Sequence, residues 1–372
     1  MCAVEWKCLN EIANVTIGEF VHKDKQNPNA EYPVYNGGIS NTGYYEDFNN
    51  TGNKIIISAR GANAGYINRV FVNYWAGNSC YSISVISNDV DWNFLFYFLK
   101  TNQQKLIGEQ QKGGIPAISK KQICTFKIPI PSLAKQQEIV SHLDTFTTLI
   151  SNLESELDVR RKQYEHYRNQ LLDISEKDSK YIVPLGDICK IIRGNGVQKA
   201  DFVEEGLGCI HYGQIYTHYG SYSYTTNRFV SQDVFNKAVK ASKGDIIMTD
   251  TSENVEDICK SVAYLGDEDI AVSNHSFIIK HNQNPKYLSF CTLTNSFGFQ
   301  KKKVVFGAKV STIKQDNLAK IKIYLPSIEE QNEIVEKLDA FENLIQSLVQ
   351  EIKLRKQQYE YYREKLLTFE KE

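Results

Sequence analysis

Arg60 lies in Ser58-Ala59-Arg60-Gly61-Ala62-Asn63, a cation and an amide set among residues too small to shield them. A guanidinium presented this way can make a two-pronged contact to a guanine edge, with Asn63 as a second candidate. Lys112 follows Gln110-Gln111 and precedes Gly113-Gly114, a setting suited to a phosphate contact. Arg193 stands directly before Gly194-Asn195-Gly196, and Lys301-Lys302-Lys303 leads into Phe306-Gly307-Ala308-Lys309. Cations interleaved with glycines and aromatics resemble nucleic-acid contact loops. Any one of them is equally compatible with a solvated surface charge. As a set, at what read as corresponding places in two copies, they favour DNA.

Catalytic patterns are missing by contrast. The chain has no G-x-x-x-x-G-K-[ST] phosphate loop, no H-E-x-x-H and no G-x-S-x-G. It also lacks the Asp/Asn-Pro-Pro-Tyr/Phe tetrad of an amino-methyltransferase, and Gly194-Asn195-Gly196 is a G-x-G without its third glycine. The seven histidines show no ligand spacing, and the eight cysteines form no C-x-x-C pair. Buried, reduced thiols are the expectation, with neither a zinc site nor a disulfide framework. An acidic run, EDICK (256–260), loosely fits a metal nuclease and reads more simply as a solvated loop. No apolar run approaches the length needed to span a bilayer, and Glu5, Lys7 and Glu11 interrupt the N-terminus where a secretory signal would be apolar. The expectation is a cytoplasmic chain with no catalytic residue, no metal and no cofactor of its own.

The elements that must position these loops come from a duplication. Residues 131–172 align without a gap to 326–367, at an offset of 195, with 21 of 42 positions identical. Upstream the match is fainter: Val34, Gly37 and Ile39 against Ile210, Gly213 and Ile215. The second copy carries about 19 extra residues, placed between Ile215 and Lys243 and read as an enlarged loop or hairpin. The order is lobe, helix, lobe, helix: lobes at 1–133 and 177–328, helices at 134–176 and 329–372.

Both helices carry an a/d heptad. Ile139, Leu143, Phe146, Ile150, Leu153 and Leu157 recur as Ile334, Leu338, Phe341, Ile345, Leu348 and Ile352. Arg160 and Arg355 then interrupt the seam at one equivalent place, read as snorkelling side chains in preference to register specification or a partner contact. Each helix starts after a proline, with Ser132 or Ser327 as N-cap and a capping-box pattern in Ser327/Glu330. About 39 helical residues give a rod of roughly 58 Å. The short linker 173–184 cannot return the chain along that length, so the helices are expected to pair antiparallel with a lobe at each end.

The lobes read as α+β. Short apolar runs at 32–38, 53–65, 79–86, 243–249 and 274–281 suggest strands, and 90–106 and 285–300 suggest helices. The formal net charge of −1 argues against a nucleic-acid binder until it is divided. The helical segments 134–176 and 327–372 hold 12 basic and 19 acidic residues, leaving the lobes at +6.

The whole chain resembles the DNA-specificity subunits of type I restriction–modification systems. The residues that carry the likeness are YPVYNGG (32–38), IPAISKKQICTFKIPIPSLAKQQEIVSHLD (115–144) and VSTIKQDNLAKIKIYLPSIEEQNEIVEKLD (310–339). The second lobe departs from it, with CIHYGQI where the first has YPVYNGG, which suggests a different half-site. The resemblance implies two target-recognition lobes, related by a pseudo-twofold axis, that read a split double-stranded DNA sequence. It implies coiled-coil helices that act as a ruler and platform for two methyltransferase subunits, which two restriction/translocase subunits can join. S-adenosylmethionine, ATP and magnesium would then sit on those partners. The competing readings are a tandem scaffold that recruits proteins without binding DNA and, more weakly, a self-sufficient metal-dependent nuclease.

Overall fold

The computed structural model describes residues 4–107, 116–307 and 310–370. The chain divides into two compact units, Met1–Glu154 with Gln350–Glu372, and Ser155–Val349. The long helices Leu133–Leu172 and Ile328–Leu367 each begin in one unit and end in the other. Each unit is therefore a lobe plus the first half of one helix and the second half of the other.

In the first unit a four-stranded antiparallel sheet runs in the order Ala13–Ile17, Cys80–Val85, Lys54–Ser58, Ile67–Val70. Its central strand carries Ile55-Ile56-Ile57, apolar at every position because both faces are covered. Ile55 and Ile57 pack with Phe94, Leu95 and Phe98 of the helix Trp92–Thr101, whereas Ile56 packs with Val70, Tyr74 and Cys80. A second sheet, Gly43–Tyr45, Tyr32–Tyr35, Trp75–Ala76, closes that other side. The ribbon Glu5–Cys8 with Lys127–Ile130 leads into the long helix.

The second unit repeats the plan with more strands. One sheet runs Cys189–Arg193, Ser276–His281, Ile246–Thr249, Ser261–Tyr264, Tyr222–Ser223. Ile246 and Met248 face the core around Phe290 and Leu338, and Ile247 faces Val262 and Ile278. The other sheet runs Phe202–Val203, Arg228–Val230, Leu207–Ile210, Ile270–Val272, Lys240–Ala241.

Three expectations are corrected here. The extra segment is not one loop or hairpin: Tyr222–Ser223 joins one sheet, Arg228–Val230 joins the other, and helices Tyr212–Thr217 and Gln232–Lys237 flank them. Its Tyr/Thr/Ser composition has no period of its own, and distant strands choose its partners. The helix expected over 285–300 is two, Pro285–Cys291 and Asn295–Val304, because the Thr294 side chain caps Phe297 N–H while Asn169 and Asp173 accept from Asn295 and Ser296. The alignment near Val34 also shifts by one. Tyr35 pairs with Ala76 as Ile210 pairs with Val272, so Asn36 corresponds to His211.

Within each unit the two helix halves pair antiparallel. In the first, Phe146 stacks on Tyr362 at 5.5 Å and Glu154 pairs with Lys356 at 2.7 Å, so one index climbs as the other falls. In the second, Tyr167 stacks on Phe341 at 5.4 Å and Tyr164 donates to Glu342 at 2.7 Å. The two stacks are one contact made twice, since Phe341 and Tyr362 are the repeats of Phe146 and Tyr167. Leu143, Leu338 and Ile352 are buried, and Phe146, Ile150, Leu153, Leu157, Phe341, Ile345 and Leu348 half-buried, as expected of a narrow two-helix seam. Arg160 and Arg355 turn to Glu156/Gln163 and Glu351/Gln358 on their own helices. Of the capping box, Ser327 accepts from Glu330 N–H, but the Glu330 carboxylate takes the Tyr324 hydroxyl instead.

A buried glutamine ties each helix to its lobe. Gln136 Nε2 donates to Asp89 and Pro131 carbonyls, and its Oε1 accepts from Asp91 N–H. Its repeat Gln331 donates to Pro326 carbonyl and Gln283, and accepts from Asn284 N–H. Asp91 and Asn284 are the N-caps of the lobe helices, so each glutamine fixes the angle between the long helix and the lobe.

Candidate nucleic-acid interface

In the first lobe three turns meet at the end of the sheet. Ala59 N–H donates to Ser79, Ser79 N–H to the Asn36 side chain, and Ser58 Oγ to Gly38. Gly37 must be glycine, since a Cβ there would sit 2.7 Å from Arg60 carbonyl oxygen. Gly61, at φ +91°, then turns the chain through a conformation that side chains resist. Arg60 and Asn63 stand exposed on this turn, and Arg60 pairs as a β-bridge with Ala117. Lys112 lies outside the described residues.

The second lobe places its cations differently. Through its bridge to Thr312, the repeat of Ala117, Thr251 holds the position of Arg60. Arg193 pairs with Phe277 as Ile17 pairs with Tyr81, so its counterpart is Ile17. For Arg60 and Arg193 the expectation of cations at corresponding places is thereby corrected. Matching folds carry different side chains because Arg60, Arg193 and Ile17 are exposed and Thr251 is half-buried, so these positions bear little packing load.

Lys301 is corrected as well. It is buried, and its ammonium donates to Glu256 and Ile258 carbonyls at 2.6 and 2.7 Å. It pins the turn that follows Asp250 and Thr251 and is not available to a phosphate. Lys302 pairs with Glu256 at 3.3 Å and Lys303 lies over the Phe299 ring, both exposed in a last helical turn where cations suit the helix dipole. Lys309 lies outside the described residues.

The structure also assembles a group that sequence reading missed. Asp250 is almost wholly buried, with Arg193 Nη2 at 3.0 Å, His275 Nδ1 at 3.7 Å and the Thr251 hydroxyl at 2.8 Å. Tyr212 lies 5.3 Å from the His275 ring, and beside it His211 caps the helix Tyr212–Thr217 by accepting Gly213 N–H at its Nδ1. These residues span 193–275, so no local spacing announced them.

Burial holds the His211 imidazole below its ordinary value, and Lys199 and His275 add to the effect. Burial likewise lowers His281, against an opposing pull from Asp245. A histidine kept neutral in the fold binds its proton more readily when unfolded. Stability from these groups is therefore present above about pH 6.5 and lost as pH falls below it. The urea midpoint should drop between about pH 7 and 5.5. His211→Asn keeps a capping acceptor and should flatten that drop, whereas an unchanged pH slope in this variant would clear His211 of the effect.

Among the described residues no group of His, Cys, Asp or Glu could hold a metal ion, and no helix is long and apolar enough to cross a membrane. Cys80, Cys189, Cys209, Cys259 and Cys291 are free, with burial raising each thiol to about 12, which leaves little thiolate to react.

The family model described as type I restriction modification DNA specificity domain matches residues 3–159 and again 176–354. A putative type I restriction enzyme specificity subunit of Haemophilus influenzae is 29% identical over 98% of this chain and 96% of its own. The specificity subunit of a type I restriction enzyme of Escherichia coli is 30% identical over 75% of this chain and 71% of its own. In fold, the crystal structure of the type I restriction–modification S subunit from M. genitalium superposes with a TM-score of 0.64 at 18% identity, covering 100% of this chain and 98% of that one. Two family domains, two duplicated α+β lobes and a heptad helix after each agree, and the chain belongs to the DNA-specificity subunits of type I restriction–modification systems: it recognises the DNA target and is not the catalytic subunit.

Proposed function

We propose that each lobe reads one half of a split duplex sequence through the turns described above, and that the paired helices seat two methyltransferase subunits and set the spacing between the half-sites. The supporting observation is that the duplication reaches individual contacts. The Phe–Tyr stack and the buried glutamine occur once per unit. So do the outward apolar residues Leu149 and Leu344, and Val159 and Leu354, all exposed. A subunit that docks on one set has an equivalent place on the other. S-adenosylmethionine then belongs to the methyltransferases, and ATP and magnesium to restriction/translocase subunits that join the same complex. The scaffold alternative is not favoured, because the family is defined by DNA specificity.

Mapping modified adenines in cells with and without this chain is the test. A two-part motif should vanish when the chain is deleted, and persistence of the motif would refute the proposal. With the methyltransferase partners present, duplex affinity should fall by about three orders of magnitude between 50 and 200 mM salt if about six phosphates are contacted. A flat salt response would point back to scaffolding.

A further inference from the structure

We propose that Arg193 reads a guanine in the half-site of the second lobe and that Asp250 is the residue that aims it. The inference rests on the DNA-recognition reading above and adds a named base to it.

Asp250 is locked before any DNA arrives. Its N–H donates to His275 carbonyl at 3.1 Å and its carbonyl accepts Ile313 N–H at 3.0 Å. Its side chain is only 2% exposed, yet Oδ2 lies 3.0 Å from Arg193, whose own side chain is 62% exposed. The other oxygen takes the Thr251 hydroxyl and faces His275, which is held at φ +64°. A buried carboxylate needs a cation. Here that cation meets the carboxylate through one terminal nitrogen, Nη2, while most of the guanidinium is left to solvent.

The backbone beyond Arg193 is equally constrained. Gly194 passes so close to Ser273 that a Cβ would lie 2.4 Å from its carbonyl oxygen, and Gly196, at φ +95°, donates to the Asn274 side chain at 3.0 Å. The same close approach recurs at Gly18, the counterpart of Gly194 in the first lobe, where a Cβ would lie 2.5 Å from Gly77 carbonyl oxygen, so it belongs to the fold. What is particular to Arg193 is its pairing with Asp250. Guanine N7 and O6 present two acceptors on one edge, which a pre-aimed planar fork matches. The first lobe lacks the device. Ile17 holds the place of Arg193 and Ala59 that of Asp250, so the two lobes read different bases.

The experiment uses the full chain in complex with its methyltransferase partners, on duplexes carrying the mapped target. Each guanine is replaced in turn by 7-deazaguanine, which removes N7. One replacement should weaken wild-type binding on the order of tenfold or more and leave Arg193→Ala binding unchanged. Arg193→Lys keeps the charge without the fork, so it should keep the salt slope and lose that discrimination. Asp250→Asn should weaken the same position, and Arg193→Lys, at an exposed site, keeps the inference testable if that buried change unfolds the lobe. Equal weakening of all duplexes by Arg193→Ala would make Arg193 a phosphate contact and overturn the inference, as would a mapped target without guanine. In either case the two-part map stands. Absence of any two-part map that depends on this chain would instead remove the DNA reading on which the inference depends.

Discussion

Leu367→Ala should destabilise the unit built on residues 1–154 by about 3 kcal/mol, although it lies more than two hundred residues from that stretch. Leu367 is 3% exposed and belongs to the core that holds Phe94, Phe98, Ile139 and Leu143. Phe369, two residues on, sets its ring 6.1 Å from Phe94 and 6.4 Å from Phe98. Truncating the leucine removes apolar burial and leaves a cavity that a closed aromatic cluster cannot collapse to fill. Its repeat, Leu172, is 1% exposed in the core of the other unit. The sequence supplies the readout, because all three tryptophans, at 6, 75 and 92, lie in the first unit. Leu367→Ala should lower the urea midpoint followed by tryptophan fluorescence. Leu172→Ala should leave that midpoint in place and shift the transition followed by far-ultraviolet circular dichroism. Equal fluorescence shifts in both variants would mean that the units do not unfold separately.

Inserting one heptad into each long helix should lengthen the spacer of the methylated target by about three base pairs. Seven residues add about 10.5 Å of helix, and neighbouring phosphates of one strand advance about 3.4 Å. The insertion must enter both helices at matched positions, between Glu154 and Val159 and between Gln350 and Leu354, to keep the seam in register. These windows lie clear of the stacks Phe146–Tyr362 and Tyr167–Phe341. Insertion into one helix alone should abolish methylation, since one partner residue of every pair downstream would be displaced. The mapped motif should keep both half-sites and change only the distance between them. An unchanged spacer would end the ruler proposal while leaving target recognition by the lobes intact.

The strands and helices were legible for physical reasons that differ in kind. The heptads of Leu143 to Leu157 and Leu338 to Ile352 are long and periodic, and a stripe that must be buried writes itself into the sequence. The runs IIIS and IIMT announced strands, and the structure shows both faces of each covered. The offset of 195 between the long helices has its structural counterpart in contacts that occur twice, as those of Gln136 and Gln331 do. The candidate interface was legible only in outline. Arg60 and Asn63 stand where an exposed turn should put them, but Lys301, drawn from the same kind of run as Lys302 and Lys303, is buried under two carbonyls. A run of three lysines cannot say which of them faces inward, because that depends on the turn at 256–258 that packs over it.

The sequence by itself determined the duplication, the helical rods, the α+β lobes, the family and the division of charge between acidic helices and basic lobes. Each of these is a periodic or summed property, and such properties survive without coordinates. Only the tertiary structure decided that the end of each long helix completes the core of the other unit, that Thr251 rather than a cation holds the place in the second lobe that Arg60 holds in the first, and that Asp250, Arg193 and His275 form one group. Those facts depend on side chains distant in sequence arriving at one point. A side chain whose partners come from distant strands can differ between the copies without altering the periodic pattern, so no local spacing records what it meets.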